Sequence, residues 1–205
     1  MTMAESLQSS ERLRELRRGQ IITVARKIVA EEGLEALTIG ALEARLEFSR
    51  GVITYHFANK EDIVHAVLDS VNAEIDAATL SELKASSSLE DKVRAMLRAN
   101  VRGFIERAEA ARILLSFWGR IGGDKRIRKT NATLYAGYRK GAARLLEAGR
   151  AAGAWTDVDV DAMATLMVGI VIGIATQSHF DKGAIDWERA LEEAVKTVLA
   201  RLRSR

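Results

Sequence analysis

The sequence predicts an all-α protein, and three observations carry that reading. The chain contains no proline, so no position forbids a helix through a missing N–H or a fixed ring. Ala, Leu, Arg and Glu are abundant, and all four favour helix. Apolar residues return every three or four positions along most of the chain, which gives each helix one face to bury. With 48% hydrophobic and 29% charged residues, the composition is that of a folded chain and not a disordered one. The 205 residues allow a small N-terminal three-helix domain over 1–62 and a larger helical domain over 63–205.

The first helix is expected from about Glu11 to Glu32, with Leu13, Leu16, Ile21, Val24, Ala25, Ile28 and Val29 on one stripe. Gly33 would end it in the left-handed conformation, with Leu34 folding back on the last turn. Thr38 caps a short second helix, Ile39 to Leu46, and Ser49 caps a third of about two turns, Arg50 to His56. Asn59, with Asp62 three residues on, opens a long fourth helix carrying Ile63, Val67, Val71 and Ile75. The stretch KASSSLEDK over 84–92 reads as a linker, with Ser88 and Asp91 placed to cap the next helix. Further helices are expected near Leu89–Arg107, Glu109–Arg120, Lys125–Ala152, Val160–Phe180 and Trp187–Arg203, separated by glycine-containing breaks.

Several function classes fall away. The absence of cysteine removes disulfides and thiolate metal sites. The opening MTMAESLQSSERLRELRRG lacks the apolar core of a signal peptide. The longest apolar run, Ala162 to Ala175, is shorter than the ~20 residues that cross a bilayer, so no membrane partner and a cytoplasmic location are expected. No metalloprotease, nucleophile-elbow or phosphate-loop motif occurs. His56, His65 and His179 lie far apart without carboxylates at ligand spacing. The chain therefore reads as no enzyme, with no metal and no cofactor. Asp157, Asp159 and Asp161 lack the glycine and distal Glu of a calcium loop, and suit a helix N-terminus instead.

The segment FSRGVITYHFANK, from Phe48 to Lys60, has little apolar content to bury. Two short helices joined by a tight turn, the second polar, make a helix-turn-helix pattern. A helix that enters the DNA major groove needs a small, polar outer face. Gly51 and Val52 permit close approach, Arg50 can pair bidentately with guanine, and Val52 can pack on a thymine methyl. Thr54, Tyr55 and His56 carry donors for phosphate oxygens, and Lys60 adds a charge at a helix N-terminus. Phe48, Ile53 and Phe57 are the inward anchors. Residues 1–70 hold nine Lys/Arg and eleven Asp/Glu, a balance of −2, so binding has to rely on local charge. Arg12, Arg14, Arg17, Arg18, Arg26 and Lys27 do cluster, either as a solvated helix start or as an arm reaching phosphates or the minor groove.

Gly33, Thr38-Ile39, Leu42, Phe48-Ser49, Gly51, Tyr55-His56-Phe57 and Lys60 stand in register. Through them the block from about Arg18 to Val71 resembles the N-terminal domain of TetR-family transcriptional regulators. The departures are Glu47 where the turn usually carries Gly, Glu43 where Ala is usual, and Thr54 where a first Tyr is common. Glu47 is an unfavourable choice if that position needs positive φ. The resemblance implies a ligand-responsive repressor that binds a palindromic operator of double-stranded DNA as a homodimer and is released by a small-molecule effector. It implies Arg18, Thr38, Ser49, Arg50, Gly51, Val52, Thr54, Tyr55, His56 and Lys60 as DNA-binding candidates. A non-catalytic helical scaffold or adaptor is the main alternative, and an enzyme a weaker one.

A two-turn reading helix spans few base pairs, so a specific site calls for a symmetric dimer. The helix through Met163–Thr176 is apolar on nearly all sides, and the last helix offers a second stripe. The family's usual interface assigns Val168, Gly169, Ile172, Gly173, Thr176, Leu191, Val195, Val198, Leu199 and Leu202 to the dimer; the alternative is that both stripes are protomer core. For the effector pocket the candidates are Met96, Phe104, Phe117, Trp118, Tyr135, Tyr138, Met163 and Met167. Phe117-Trp118, the later Gly153-Ala154-Trp155 and the glycine-bearing penultimate helix look like the BetI-like subgroup, which implies a choline-like cation in an aromatic cage. Residues 98–150 carry thirteen Lys/Arg against four Asp/Glu, a balance of +9, which opposes a cation. An anionic or neutral apolar effector fits equally.

Overall fold

The computed structural model describes residues 3–119, 122–123, 125–155, 158–181 and 183–203, with side chains from Gln8 onward. Among the described residues there are nine α-helices and no strand. They are α1 (Met3–Glu32), α2 (Ile39–Leu46), α3 (Arg50–His56), α4 (Lys60–Ala85), α5 (Leu89–Glu106), α6 (Ala108–Trp118), α7 (Lys125–Ala151), α8 (Val160–Phe180) and α9 (Trp187–Arg203), with a 3-10 turn, Leu34–Ala36, between α1 and α2. The chain forms two compact units, Met1–Asn72 with Arg112–Arg120, and Ala73–Ala111 with Ile121–Arg205.

Caps set most of the boundaries. Thr38 Oγ1 accepts the Ala41 N–H at 3.0 Å, Asn59 Oδ1 that of Asp62 at 3.0 Å, and Asp159 Oδ1 that of Ala162 at 3.0 Å. Ser88 Oγ accepts the Asp91 N–H at 3.0 Å and donates to the Asp91 carboxylate at 2.6 Å. Each bond satisfies a donor that the first helical turn leaves over. Asp157 lies outside the described residues. Ser49 occupies the cap position of α3, but its hydroxyl makes no capping bond; its carbonyl takes the Val52 and Ile53 N–H groups instead.

In the first unit Ile21, Ala25, Leu37, Leu42, Ile53 and Ile63 are fully buried. Gly33 ends α1 at φ 86 and ψ 170, not in the left-handed helical region. That combination is open essentially to glycine alone, and it turns the chain so that Leu34 is buried. α1 starts well before Glu11, and every described residue from Gln8 to Gln20 is exposed. Leu13 and Leu16, which periodicity places on a buried stripe, are 49% and 60% exposed.

The second unit builds its core from α5, α7, α8 and α9, through Val93, Leu97, Leu146, Trp155, Met163 and Met167 among others. Leu191, Val195, Val198, Leu199 and Leu202 belong to this core and are at most 4% exposed. The α9 stripe is therefore not the docking face that the sequence suggests, because its side chains already pack inside the protomer. Arg94 ties α5 to Glu192 of α9 at 3.1 Å, and Arg203 grips the Glu90 carboxylate through two nitrogens. α8 has 21 residues and is long and apolar enough, by length and composition, to cross a membrane. The helix extends past the apolar run on both sides, and its Met163, Ala164, Met167 and Ala175 are buried.

The end of α7 is a Schellman cap. The Ala154 N–H bonds Gly149 O at 2.9 Å and the Gly153 N–H bonds Arg150 O at 3.0 Å, with Gly153 at φ 69. The reversal lays the buried Trp155 onto Gly149, where a Cβ would stand 1.3 Å from the indole Nε1.

Candidate nucleic-acid interface

α3 is held from beneath by Ile53 and Phe57, both buried; Phe48 is half-buried. With those anchors in place, Ser49, Arg50, Gly51, Thr54 and Tyr55 are exposed, and Val52, His56 and Lys60 half-buried. Tyr55 is 69% exposed, far more than an aromatic residue needs for packing. Thr54 Oγ1 donates to Arg50 O at 2.9 Å, so its hydroxyl hydrogen is already used within the helix. Thr38 is exposed and its oxygen serves the α2 cap. Arg18 lies over the Phe57 ring at 4.9 Å and Arg14 over the Tyr55 ring at 5.7 Å.

The turn between α2 and α3 runs through Glu47 at φ 54 and ψ 23, the left-handed conformation that glycine would adopt freely. An L residue there costs roughly 1–2 kcal/mol, and glycine gives back part of this through unfolded-chain entropy. Glu47→Gly is expected to stabilise the fold by about 0.5–1 kcal/mol, read as a higher urea midpoint. A lower midpoint would show that the glutamate side chain makes a contact worth more than the backbone strain.

A groove of about 470 Å³ opens along α3, lined by Ser10, Leu13, Arg14 and Arg17 of α1 and by Ser49, Gly51, Val52, Tyr55 and His56. The His56 Nδ1 is buried and has no hydrogen-bond partner. Burial first, then the Arg14, Arg17 and Arg18 cations, hold the imidazole below its ordinary value. Sequence reasoning missed the contribution of Ser10, Leu13, Arg14 and Arg17 to this groove, because nothing local says that α1 runs alongside α3.

The remaining candidates scatter. Phe117, fully buried, and Trp118 belong to the first unit, whereas Met96, Phe104, Tyr135, Tyr138, Met163 and Met167 belong to the second. Met163 and Met167 are core side chains, Met96 is partly buried against the same core, and Phe104 is buried. Tyr135 and Tyr138 remain half-buried and meet edge to face at 5.9 Å. Burial pushes the Tyr135 hydroxyl up to about 12 and raises that of Tyr138, the Asp76 carboxylate adding to the latter. Both stay protonated donors at any physiological pH. Asn131, one turn before Tyr135 on the same face of α7, is buried and its Oδ1 has no partner; no sequence signal marks it. On α8, Gly169 is exposed and Val168, Ile172, Gly173 and Thr176 are half-buried. Leu166 and Phe180, not foreseen, are 53% and 75% exposed.

Residues 21–67 match the family described as bacterial regulatory proteins, tetR family, and residues 89–204 match the BetI-type transcriptional repressor, C-terminal. The HTH-type transcriptional regulator BetI of Burkholderia thailandensis is 28% identical over 107 residues, 52% of this chain and 55% of that protein. The chain thus matches about half the length of such relatives. A regulator from Saccharomonospora viridis, solved in complex with choline, superposes with a TM-score of 0.77 at 19% identity, over 92% of this chain and 98% of that one. The fatty acid degradation regulator FadR of Bacillus halodurans gives 0.77 at 17% identity, over 92% and 97%. Likeness at these identities concerns the fold alone. With a helix-turn-helix head over 21–67 and a helical body matched across more than half of the sequence, the chain belongs to the TetR family of bacterial transcriptional regulators, with a BetI-type C-terminal part.

Proposed function

We propose that the protein is a cytoplasmic, dimeric repressor that reads a palindromic operator with α3 and leaves it when a small molecule binds. The outer face of α3 carries this reading: Arg50, Gly51, Thr54 and Tyr55 stand exposed over two buried anchors, an arrangement that wastes a surface aromatic unless something docks on it. Pairing would use α8, whose Leu166, Gly169 and Phe180 are exposed and whose apolar surface exceeds what the protomer covers.

For the effector, the α7 face of Asn131, Tyr135 and Tyr138 is the best-supported contact. It presents an acceptor without a partner, two ring faces and two hydroxyls, and the Asp76 carboxylate acts on Tyr138. Such a set suits a cation that also bears a hydroxyl donor, and the relative in complex with choline makes choline the first ligand to try. α4 carries Lys60 in its first turn and Asp76 further along, so one helix links the two proposed sites. The ligand acts only through its differential affinity for the DNA-competent and DNA-incompetent arrangements.

The test is a gel shift on the region upstream of the protein's own gene. A retarded, salt-sensitive band that choline releases is expected, and Tyr138→Ala should bind DNA but no longer respond. No retardation of that fragment would sink the repressor reading; retardation untouched by choline would sink the cation assignment alone.

A further inference from the structure

α7 is the most cationic helix of the chain. It carries eight Lys/Arg against one acid, Glu147. Taking these from the chain's 31 and 28 leaves 23 and 27, so α7 stands at +7 and the rest of the chain at −4. One side of the helix is spoken for: Ile127, Asn131, Ala142, Leu146 and Gly149 are buried. On the other side Arg126, Lys129, Thr133, Ala136, Lys140 and Arg144 are all exposed. Their steps of three and four put them in one row, roughly 27 Å long at 1.5 Å per residue.

The other arginines of the second unit's α5 and α9 are largely paired. Arg94 and Arg98 meet Glu192, Arg102 meets Glu82 and Glu106, and Arg203 meets Glu90. Among the described residues Lys129, Lys140 and Arg144 have no ion pair. A row of like charges left without acids costs the helix some mutual repulsion, and a polyanion would relieve it.

We propose that the outer face of α7 holds double-stranded DNA by its phosphates, without reading sequence, as a surface separate from the helix-turn-helix head. This rests on the DNA-binding reading and goes beyond it, since the family's reading helix plays no part. Charge complementarity calls for a polyanion, and what the face lacks selects which one. None of α7's exposed residues is aromatic or a large aliphatic. A protein partner is held by such anchors at the centre of the interface, an interfacial helix inserts them into a bilayer, and a single strand stacks its bases on exposed rings. A duplex needs none of them. It carries one charge about every 1.7 Å of its axis, and counterion release alone supports sequence-independent binding. Ala136 and Gly137, small and exposed between the cations, leave the duplex room to lie along the row.

The experiment measures fluorescence anisotropy of the full chain with a mixed-sequence duplex, between about 50 and 200 mM salt. The variant Lys129→Gln/Lys140→Gln/Arg144→Gln should keep native circular dichroism, because all three side chains are exposed. It should lower the slope of log K against log salt by up to about 2.7, three contacts at about 0.9 each, which shrinks the loss of affinity over that range by about 40-fold. The same drop is expected when the three changes are added to Arg50→Ala/Tyr55→Ala, since the two surfaces act independently. An unchanged slope overturns the proposal, and so does a drop confined to the intact head, which would mean that the cations act only through α3. Tighter binding to phosphatidylglycerol vesicles or to polyglutamate than to the duplex at equal charge would overturn the choice of partner. If the wild type retards its upstream fragment while the α7 variant matches it throughout, the regulator reading stands and the α7 surface falls; if the wild type binds neither DNA, both fall.

Discussion

Alanine in place of Gly149 is expected to cost about 3–5 kcal/mol of stability, although alanine is the better helix former by about 1 kcal/mol. The added methyl would sit 1.3 Å from Trp155 Nε1 and 2.1 Å from Cδ1 and Cε2. No side chain tolerates that approach, so the indole has to leave. Trp155 is 6% exposed and part of the second unit's core, and its departure resembles a Trp→Ala truncation in effect. Urea unfolding followed by circular dichroism reads the loss. The control is Trp155→Ala with and without Gly149→Ala: once the indole is gone the methyl should be harmless or slightly stabilising, a strong departure from additivity. A Gly149→Ala protein with an unchanged or higher midpoint would mean that the loop after α7 can repack at little cost.

On the proposed function, Arg50→Ala and Tyr55→Ala are expected to weaken DNA binding strongly while leaving the fold intact. Both side chains are exposed, so neither truncation opens a cavity. A bidentate arginine–guanine contact is worth about 1–3 kcal/mol, and a symmetric dimer loses it twice, giving roughly 30-fold or more at the lower end. Arg50→Ala should remove preference for the operator over mixed-sequence DNA, because a base contact is lost. Tyr55→Ala should weaken both alike, since the partner proposed for it is a phosphate. Competition gel shifts separate the two patterns. Wild-type affinity and preference in both variants would remove these residues from the interface.

Much of the fold is legible in the chain. Thr38, Asn59 and Ser88 each make the capping bond that their position suggests, which is why α2, α4 and α5 begin where the chain chemistry says they should; Asp159, expected only to favour the helix dipole, caps α8 as well. α3 stands out for a different reason: a short polar helix alone is more often a surface connector, and it is the register of Ser49, Gly51, Tyr55-His56-Phe57 and Lys60 that resembles the TetR-family head. The hidden part depends on tertiary neighbours. Periodicity identifies a stripe but not its cover, so it assigns Leu13 and Leu16 to a core that does not reach them. The family's usual interface offers the α9 stripe to a partner, whereas its side chains belong to the protomer core, the alternative that periodicity alone leaves open. Asn131 and the Trp155–Gly149 contact carry no local signal at all, because their meaning comes from the helix or loop that closes over them.

The internal position of the α9 side chains has a kinetic corollary. If the chain pairs as proposed, a protomer whose α9 side chains are already enclosed can fold before it pairs, and association is then a separate, dilution-sensitive step. Freshly made copies would then circulate as competent singles, and mixing two tagged populations should yield hybrids by subunit exchange without any denaturant.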